Sequence, residues 1–425
     1  MKDKYKTTSI IASKDSPPLV GGVRGGVRGG VNWRPVTPTY PPPSRGRNYA
    51  QLPKTLCKVV VAMSGGVDSS VAAGLLLKKG YEVIGLTMCF GLKESGKKRP
   101  SCCGIEGIED ARRVAHKLGI KHYVLNFDKY LQKEVIDNFI SEYLSGRTPN
   151  PCVRCNEYLK FERLLDKAKS LGAQYLATGH YARIVTRSQG HKVTSEIFLL
   201  KKGKDKYKDQ SYFLYRLKQE QLKALLFPLG DYTKTQVRKI AAEFNLPVKD
   251  KPGSQEICFI PDDDYRAFLS RALRSEGLKI RPGPIVDSSG KVLGEHKGIP
   301  FYTIGQREGL GIAAGYPIYI IRMDSKENTI VAGKKEEAFS SGLIAGDLSF
   351  INEAMKREIA LRVKIRYNHR EVPAKVSPES KNKLKVVFSQ AQFAVTPGQS
   401  VVFYRGNTVI GGGIIESALK DAKIG

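Results

Sequence analysis

A Ser-Gly-Gly turn is the segment of this chain whose residue types and spacing best fit binding chemistry. The turn at residues 64–66 follows the apolar run 59–61, and Asp68 and Ser69 precede an Ala- and Leu-rich helical pattern. A strand, a glycine turn and a helix N-terminus in this order let backbone N–H groups approach an anion closely. The segment therefore predicts a phosphate-binding loop. It is not a Walker A loop, since no Gly-Lys-Ser/Thr follows, and it lacks the third glycine of the dinucleotide fingerprint.

Three cysteines form the second set of residues suited to chemistry. Cys152 and Cys155 stand as Cys-x-x-Cys behind two prolines that stiffen the chain, so both sulfurs are expected on one side of a turn or helix start. Arg154 and a helix beginning near Asn156 would favour the thiolate form. Cys258 stands alone between two apolar residues. By itself, that setting is more typical of a buried core cysteine.

The charge of the chain indicates what kind of partner it meets. Its 425 residues carry 70 Lys and Arg against 41 Asp and Glu, a formal charge of +29. This points to a polyanion, with a merely soluble basic surface as the alternative. No apolar run approaches the roughly 18 residues of a spanning helix, so we expect a nucleic acid and no membrane. Seven cysteines in so long a chain favour reactive or metal-binding thiols in a reducing compartment over a disulfide scaffold.

Residues 1–55 differ from the rest of the chain. A Gly-Gly-Val-Arg repeat and a Pro-rich stretch cannot bury a core, so we expect a disordered extension. Its only acidic residues are Asp3 and Asp15, as in an organellar transit peptide, but the Ser-rich amphipathic pattern of such peptides is missing. We expect a cytoplasmic protein, with a plastid or mitochondrial location as the alternative.

Strand and helix patterns alternate from Cys57 onward, which predicts an α/β fold with a doubly wound parallel sheet. After a first strand, strands are expected at residues 81–87, 122–127 and 175–178, and helices at 69–80, 108–118, 130–145 and 160–171. Ligands of such sheets gather at the carboxyl ends of the strands. Ser64, Met88 and the Gly179-His180 pair all fall at such ends, so we expect them around one site.

The pattern changes after Cys258. A helical piece at 265–273 and a Gly-rich, β-like stretch at 283–315 precede short strands only, at 317–322, 329–332, 359–365, 384–388, 400–404 and 408–416. This spacing predicts a small antiparallel β-barrel. We therefore expect the disordered extension (1–55), the α/β catalytic domain (56–264), a small central domain (265–335) and a C-terminal barrel (336–425).

Several motifs occur together in one order, and together they resemble a known family. They are SGGVDSS (64–70), TPNPCVRCN (148–156), ATGHYAR (177–183), KDQSYFL (208–214), ICFI (257–260), FYTIGQREGL (301–310), PGQSVVFY (397–404) and GGGII (411–415). The first matches the loop of ATP pyrophosphatases, which split ATP between the α and β phosphates. The whole set resembles the tRNA-specific 2-thiouridylases and covers essentially everything from Cys57 onward.

The resemblance implies an ATP-dependent sulfurtransferase. The C2 oxygen of the wobble uridine of a tRNA would attack the α-phosphate of ATP, with Mg²⁺ neutralising the phosphates. The residues implied at the nucleotide are Ala62, Met63, Ser64, Gly65, Gly66, Val67, Asp68 and Ser69 of the loop, with Met88 and Gly179 beside the adenine and ribose.

The resemblance also implies roles for two thiols. Cys258 would accept sulfur as a persulfide from a donor protein, either a cysteine desulfurase or a sulfur relay protein. Cys155 would resolve the persulfide by a transient disulfide with Cys258, so both thiols are expected on mobile loops facing one site. Sulfur would reach C2 as hydrosulfide or by direct persulfide attack. We expect the enzyme to act as a monomer.

Cys152 departs from the family pattern, since many members carry Asp there. Two readings stay open. Cys152 replaces the carboxylate as an acid/base group or spare thiol, or Cys152, Cys155 and Cys258 are ligands of an iron–sulfur (4Fe-4S) cluster. A zinc site is disfavoured, because only three thiols are available and no His lies nearby in sequence.

Residues that would contact the tRNA also follow from the resemblance. They are Asn150, Pro151 and Cys152 near the target base, with His180, Lys208, Asp209, Gln210, Arg366, Tyr367 and Gln399. Lys and Arg suit phosphate contacts, and Tyr can stack on an extruded base. The alternatives are another ATP-dependent synthetase or tRNA sulfurtransferase with this loop, and a non-catalytic RNA-binding or iron–sulfur protein.

Overall fold

The computed structural model describes residues 56–91, 104–188, 196–253, 257–260, 264–275 and 277–420. The extension predicted at residues 1–55 lies outside this part of the chain. None of the helices within the described ranges is both long and apolar enough to span a membrane.

The strands, in chain order, are β1 (Leu56–Ala62), β2 (Tyr81–Cys89), β3 (Lys121–Asn126), β4 (Tyr175–Ala177), β5 (Ala182–Ser188), β6 (Glu196–Lys202), β7 (Leu225–Leu226), β8 (Gly283–Val286), β9 (Val292–His296), β10 (Tyr319–Asp324), β11 (Thr329–Gly333), β12 (Phe339–Phe350), β13 (Ile359–Lys364), β14 (Val372–Ser380), β15 (Lys383–Phe393), β16 (Ser400–Arg405) and β17 (Thr408–Leu419). The α-helices are α1 (Val67–Lys78), α2 (Ile105–Leu118), α3 (Asp128–Leu131), α4 (Asp137–Leu144), α5 (Pro151–Arg154), α6 (Leu165–Ser170), α7 (Gln219–Lys223), α8 (Lys234–Glu243) and α9 (Tyr265–Ser275). Two π-helical segments, Gln132–Ile136 and Cys155–Leu164, and short 3₁₀ turns at Ser211–Leu214, Ile299–Phe301 and Lys335–Ala338 complete the helices.

The first sheet is parallel throughout, in the order β3-β2-β1-β4-β7. Its central strand is buried on both faces: Val59 and Val61 pack with residues of α1 and α8, whereas Val60 packs with the helical segments of residues 128–170. A strand that alternates between two cores needs helices on both sides. The predicted doubly wound α/β sheet is confirmed.

Two helix starts differ from the prediction. Helix α1 begins at Val67, so Asp68 and Ser69 lie in its first turn rather than before it. Helix α5 begins at Pro151 and runs without a break through the π segment into α6, so the start predicted near residue 156 or 160 is wrong. The reason is local, since Pro at the first helical position and an Asn N-cap form a strong start signal.

The central domain contains a mixed four-stranded sheet in the order β10-β11-β8-β9, in which β8 and β11 run parallel. Buried Ile285, Ile320 and Ile330 form part of its own core. The strands predicted at 317–322 and 329–332 belong to this sheet, so they lie within the bounds of 265–335 expected for the central domain and not in the barrel that their spacing suggested. Sequence spacing alone does not show which of two successive β domains a short strand joins.

The C-terminal strands form an antiparallel barrel in the order β12-β15-β14-β13-β16-β17, closed by pairing of β12 with β17. The predicted barrel is confirmed. Strand β15 alternates as expected, with Leu384, Val386 and Phe388 buried inside. Strands β12 and β14 were not predicted, because glycine, serine, lysine and proline interrupt their apolar pattern.

A hairpin from the first domain extends the barrel sheet. Strands β5 and β6 pair with each other, and Lys201 of β6 pairs with Thr408 of β17. Sequence patterns did not show this hairpin. It joins the α/β domain to the barrel through backbone hydrogen bonding, and the chain leaving β6 leads directly into the KDQSYFL motif.

Candidate active site

The phosphate loop lies where predicted, between β1 and α1. Gly65 has φ +71, and a Cβ there would lie 2.1 Å from the carbonyl oxygen of Gly107, so only glycine fits. Ser64 is exposed, whereas Met63 and Val67 bury their side chains and offer only their backbone. Ser69 Oγ accepts from Ser64 N at 3.2 Å, which holds the turn open toward solvent.

Asp68 is bound from two other segments. Lys234 Nζ lies 2.7 Å from both carboxylate oxygens of Asp68, and the Tyr181 hydroxyl donates to one of them at 2.7 Å. Burial, and then the Asp68 charge, raise the pKa of Tyr181, which keeps the phenol protonated as a donor. Sequence reasoning missed both partners. Tyr181 stands two residues beyond the predicted Gly179, and Lys234 follows a Thr233 capping box, so signals for both were present.

Gly179 lies against the loop, as predicted. A Cβ on Gly179 would lie 2.8 Å from the backbone of Asp68 and Ser69, so glycine permits this close approach of the chain after β4. Met88 lies within β2 rather than after it, and its side chain packs on the large core of the α/β domain.

His180 packs into aromatic surroundings next to the loop. Its ring lies 5.7 Å from that of Phe161 and 5.9 Å from that of Phe227, and Nδ1 is 2.6 Å from Thr178 Oγ1. Burial, and then the Lys160 charge, lower the pKa of His180, so the imidazole is neutral. Its role in tRNA contact stays a prediction.

Two buried hydrogen bonds in series, made by Thr87 and His122, hold the backbone at the start of the loop. Thr87 Oγ1 donates to the carbonyl oxygen of Met63 at 2.8 Å, so it must accept its second hydrogen bond, also 2.8 Å, from His122 Nε2–H. The other ring nitrogen, Nδ1, is buried and has no hydrogen-bond partner within the described part of the chain. Burial, and then the Arg112 charge, lower the pKa of His122 to about 4.

The segment that leads into the Cys152–Cys155 helix is hydrogen-bonded to the barrel. Gln399 Nε2 donates to the carbonyl oxygens of Thr148 and Pro149 at 3.1 and 3.0 Å. Asn150 then caps α5 by accepting from Val153 N at 3.3 Å. The two peptide groups before the Pro-Cys turn are therefore fixed by a residue some 250 positions further along the chain.

Cys152 is partly exposed in α5, and Cys155 is 8% exposed at the start of the π segment. The expectation that Cys155 lies on a mobile loop is wrong, because the Asn-Pro start signal places it inside a helix. Cys258 is partly exposed rather than core-buried and packs against the same core cluster as Cys155. The neighbouring Phe259 meets the Phe139 ring edge-on at 5.5 Å.

A metal cluster does not fit these thiols as they stand. Among the residues that the structure describes, no three His, Cys, Asp or Glu side chains converge closely enough to hold a metal ion. Cys152, Cys155 and Cys258 therefore do not form a ligand set for an iron–sulfur cluster in this structure.

Several residues predicted to contact tRNA have partners within the protein. Arg366 donates to Thr396 Oγ1 at 2.6 Å and to the carbonyl oxygen of Ala394, and burial lowers its pKa. Asp209 accepts from Gly203 N and from the Ser211 hydroxyl.

Gln210 and Tyr367 complete this group. Gln210 Oε1 accepts from Tyr181 N at 3.0 Å, and the Tyr367 ring lies 4.5 Å from Phe213. Burial, and then the charges of Asp209, Asp205 and Cys152, raise the pKa of Tyr367 to about 12. Tyr367 therefore places the barrel close to both the KDQ motif and Cys152.

Arg216 joins the thiol helix to the barrel. Its guanidinium lies 2.6 Å from Glu157 on the helix of Cys155, and two of its nitrogens lie 3.0 Å from the carboxylate of Asp347 in β12. A cavity of about 170 Å³, lined also by Arg147 and Asn150, lies beside this bridge. Sequence reasoning missed Arg216, although it stands only two residues beyond the KDQSYFL motif.

A phosphate loop of this geometry, on a parallel sheet that leads into two β domains, places the chain among multidomain α/β nucleotide-binding proteins. Three family models match it in succession. They describe a tRNA methyl transferase HUP domain over residues 57–262, a tRNA methyl transferase PRC-barrel domain over 267–334, and an aminomethyltransferase β-barrel domain over 340–415.

Curated relatives narrow this class. The tRNA-specific 2-thiouridylase MnmA of Carboxydothermus hydrogenoformans is 52% identical over 366 residues, which cover 85% of this chain and 98% of that protein. The tRNA-specific 2-thiouridylase MnmA of Pelotomaculum thermopropionicum is 51% identical over 364 residues, which cover 85% of this chain and 97% of that protein. The chain belongs to the family of tRNA-specific 2-thiouridylases, as its motifs indicated.

A solved structure of a U34-tRNA thiolase from Methanococcus maripaludis with its 4Fe-4S cluster is also similar. It is 18% identical, aligns with 52% of this chain and 67% of its own, and has a TM-score of 0.31. A likeness this low carries no argument about the chemistry of this chain.

The buried His122 predicts a pH dependence of stability. A folded-state pKa near 4 lies below the ordinary 6.5, so the unfolded state binds more protons between these values. The stabilisation is complete above pH 6.5 and is lost as pH falls through 4. Compared with His122→Gln, which keeps a neutral donor, the wild type should lose about 2 kcal/mol more unfolding free energy between pH 7 and pH 4.5 in urea titrations. Parallel pH profiles of the two proteins would contradict this assignment.

The Arg216 bridge predicts coupling between barrel and helix. Arg216→Met should lower the unfolding free energy by about 1–3 kcal/mol, because it leaves Glu157 partly buried without its cation. Arg216→Lys keeps the positive charge but not the planar guanidinium that binds both carboxylates. It should therefore lower the unfolding free energy less than Arg216→Met does. In a double-mutant cycle with Glu157→Gln, measured by urea unfolding, the two effects should be non-additive. Strict additivity would mean that the ion pair contributes nothing.

Proposed function

We propose that this chain is an ATP-dependent tRNA-uridine 2-sulfurtransferase that replaces the C2 oxygen of the wobble uridine with sulfur. The proposal rests on the arrangement of two sites in a chain that is 52% identical to a 2-thiouridylase. A phosphate loop with a lysine-bound aspartate lies in the same domain as a thiol helix that the barrel clamps.

The loop binds ATP. Backbone groups of residues 62–69 and the first turn of α1 cradle the phosphates, and Lys234 supplies the mobile cation beside them. Asp68 is the carboxylate that would hold Mg²⁺ together with the phosphate oxygens, because Mg²⁺ favours one or two carboxylates plus phosphate. Bound there, Mg²⁺ neutralises phosphate charge. The ammonium of Lys234 then turns from Asp68 to the phosphates.

Adenylation activates the uridine. Its C2 oxygen attacks the α-phosphorus, the bond to the β-phosphate oxygen breaks and pyrophosphate leaves. The uridine then carries AMP on its C2 oxygen, which makes that oxygen a good leaving group. Gly179 lets the chain after β4 pack directly against Asp68 and Ser69, which keeps this strand end beside the loop where the base is to react.

Sulfur delivery uses Cys258 and Cys155. The terminal sulfur of a Cys258 persulfide attacks C2, and AMP leaves with the oxygen. The Cys155 thiolate then attacks Sγ of Cys258, which breaks the S–S bond, releases 2-thiouridine and forms a Cys155–Cys258 disulfide. An external thiol reductant restores both thiols. In the alternative order, Cys155 first releases hydrosulfide, which then attacks C2.

In this scheme Cys152 acts as a spare thiol or acid/base group near the target base. The iron–sulfur alternative is not adopted, because the three cysteines do not converge as ligands among the described residues. Its proximity to Tyr367 supports a position facing the base. The tRNA contacts assigned by resemblance, the sulfur donor protein, the monomeric state and the cytoplasmic location remain part of this proposal.

The first test concerns Lys234. Lys234→Met should weaken binding of a non-hydrolysable ATP analogue by about 10- to 100-fold, because a charge-assisted contact to phosphate is lost. Isothermal titration calorimetry measures this. Lys117→Ala, at the exposed C-terminal end of α2 and thus at the opposite edge of the sheet, removes the same charge and should leave the affinity unchanged. Unchanged affinity of Lys234→Met for the ATP analogue would show that Lys234 does not bind the phosphates.

The second test concerns the thiols. Cys258→Ser and Cys155→Ser should each abolish 2-thiouridine formation, measured by mass spectrometry of tRNA nucleosides, while pyrophosphate release continues. With direct attack, Cys155→Ser should also accumulate a dithiothreitol-sensitive enzyme–tRNA adduct through Cys258. Cys57→Ser, at an exposed thiol in β1, is the matched control and should be fully active. Thiolation by either of the first two variants would refute the mechanism.

A further inference from the structure

We propose that Tyr207, preceded by Lys204 and Lys206 in the same turn, is a stacking platform for an unpaired base of the RNA that neighbours the reacting uridine. This inference rests on the proposed function. None of these three residues is among the contacts that the motifs implied, because they precede the KDQ motif.

The exposure of Tyr207 is the first observation. Its side chain is 94% exposed, far more than that of any other large apolar or aromatic residue in the described ranges. Lys204 and Lys206, which precede it in the same turn, are exposed, and Lys208, which follows it, is partly exposed. An exposed aromatic ring on a lysine-rich turn offers a face to a base and cations to phosphates.

The backbone under this ring is fixed by buried carboxylates. Asp205 is 9% exposed, and its Oδ1 accepts from the backbone N–H groups of Tyr207 at 2.9 Å and Lys208 at 3.2 Å. Asp209 is 7% exposed and accepts from Gly203 N at 3.0 Å. The backbone that carries the ring is therefore held in place by these hydrogen bonds, so the turn does not have to be ordered when a base stacks on the ring.

The turn lies between the two halves of the candidate site. The second oxygen of Asp205 accepts from the backbone N–H of Lys234 at 2.8 Å, and the side chain of Lys234 binds Asp68 of the phosphate loop. On the other side, Asp209 acts on Tyr367, which is also close to Cys152. A nucleotide stacked on Tyr207 would thus be adjacent to one that enters between the phosphate loop and the thiols.

Charge decides between RNA and a protein as the occupant. Both aspartates of the turn are buried and used in hydrogen bonds, so the charged side chains that residues 203–209 expose at the surface are those of lysines. Bases of single-stranded RNA loops are recognised mainly by stacking on aromatic rings, with basic residues on the backbone. The overall charge of +29 favours the same partner.

The test compares variants in full-length protein with unmodified tRNA. Tyr207→Ala should raise the Kd for tRNA by about 5- to 100-fold, whereas Tyr207→Phe, which keeps the ring, should match the wild type. Lys204→Ala and Lys206→Ala should each make the slope of log K against log salt shallower by about 0.7, whereas Lys117→Ala should not.

Several outcomes would overturn the platform. If Tyr207→Ala leaves the Kd for tRNA unchanged, no base stacks on this ring. If Tyr207→Ala and Tyr207→Phe raise the Kd equally, the contact is made by the hydroxyl and not by the ring. Loss of sulfur loading by a donor protein with intact tRNA affinity would make the turn a protein-docking site. If wild-type protein binds tRNA but never thiolates it, the proposed function fails while the binding comparison still decides the platform.

Discussion

The Asp68 carboxylate is the interaction on which the arrangement of the α/β domain depends. It lies in the first turn of α1, yet its partners come from the chain after β4 and from the start of α8. The backbone of Lys234 is held in turn by Asp205. One partly exposed carboxylate therefore ties together the phosphate loop, the strand end that faces it and the turn leading to the barrel. An ion pair of this kind contributes modestly to stability. Its value lies in position, because it keeps a cation beside the loop, where we propose that the phosphates bind.

The second constraint fixes the thiols from outside their own domain. The carbonyl groups of Thr148 and Pro149, just ahead of α5, need donors from elsewhere in the fold. Gln399 of the barrel donates to both, and Arg216 adds a charged link between Glu157 of the same helix and β12. The position of Cys152 and Cys155 thus depends on a docked barrel. This gives a physical reason for the barrel to accompany the catalytic domain beyond any contact of its own with RNA.

Sequence patterns predicted what is local and periodic. The strand–glycine–helix order gave the phosphate loop, and the buried β-branched strands gave the parallel sheet. They did not give Lys234, Tyr181 or Arg216 as site residues, since each meets its partner across 59 to 166 positions and no periodicity records such contacts. Helix α5 was placed too late because the prolines were interpreted only as loop residues, although one stands at the favoured first helical position.

The residues that the family resemblance assigned to tRNA divide into two physical groups. Arg366 and Gln399 have their donors engaged by carbonyl and hydroxyl groups of the protein, and Asp209 is buried as an acceptor. Exchanging these internal bonds for contacts with RNA would leave buried polar groups unpaired, at a cost comparable to the new contact. We expect them to act on RNA by shaping the surface. Tyr367 is likewise packed against Phe213. The side chains of Lys204, Lys206 and Tyr207 are exposed, so under our proposal the surface that meets the nucleic acid is narrower than the motifs imply and is centred on this turn.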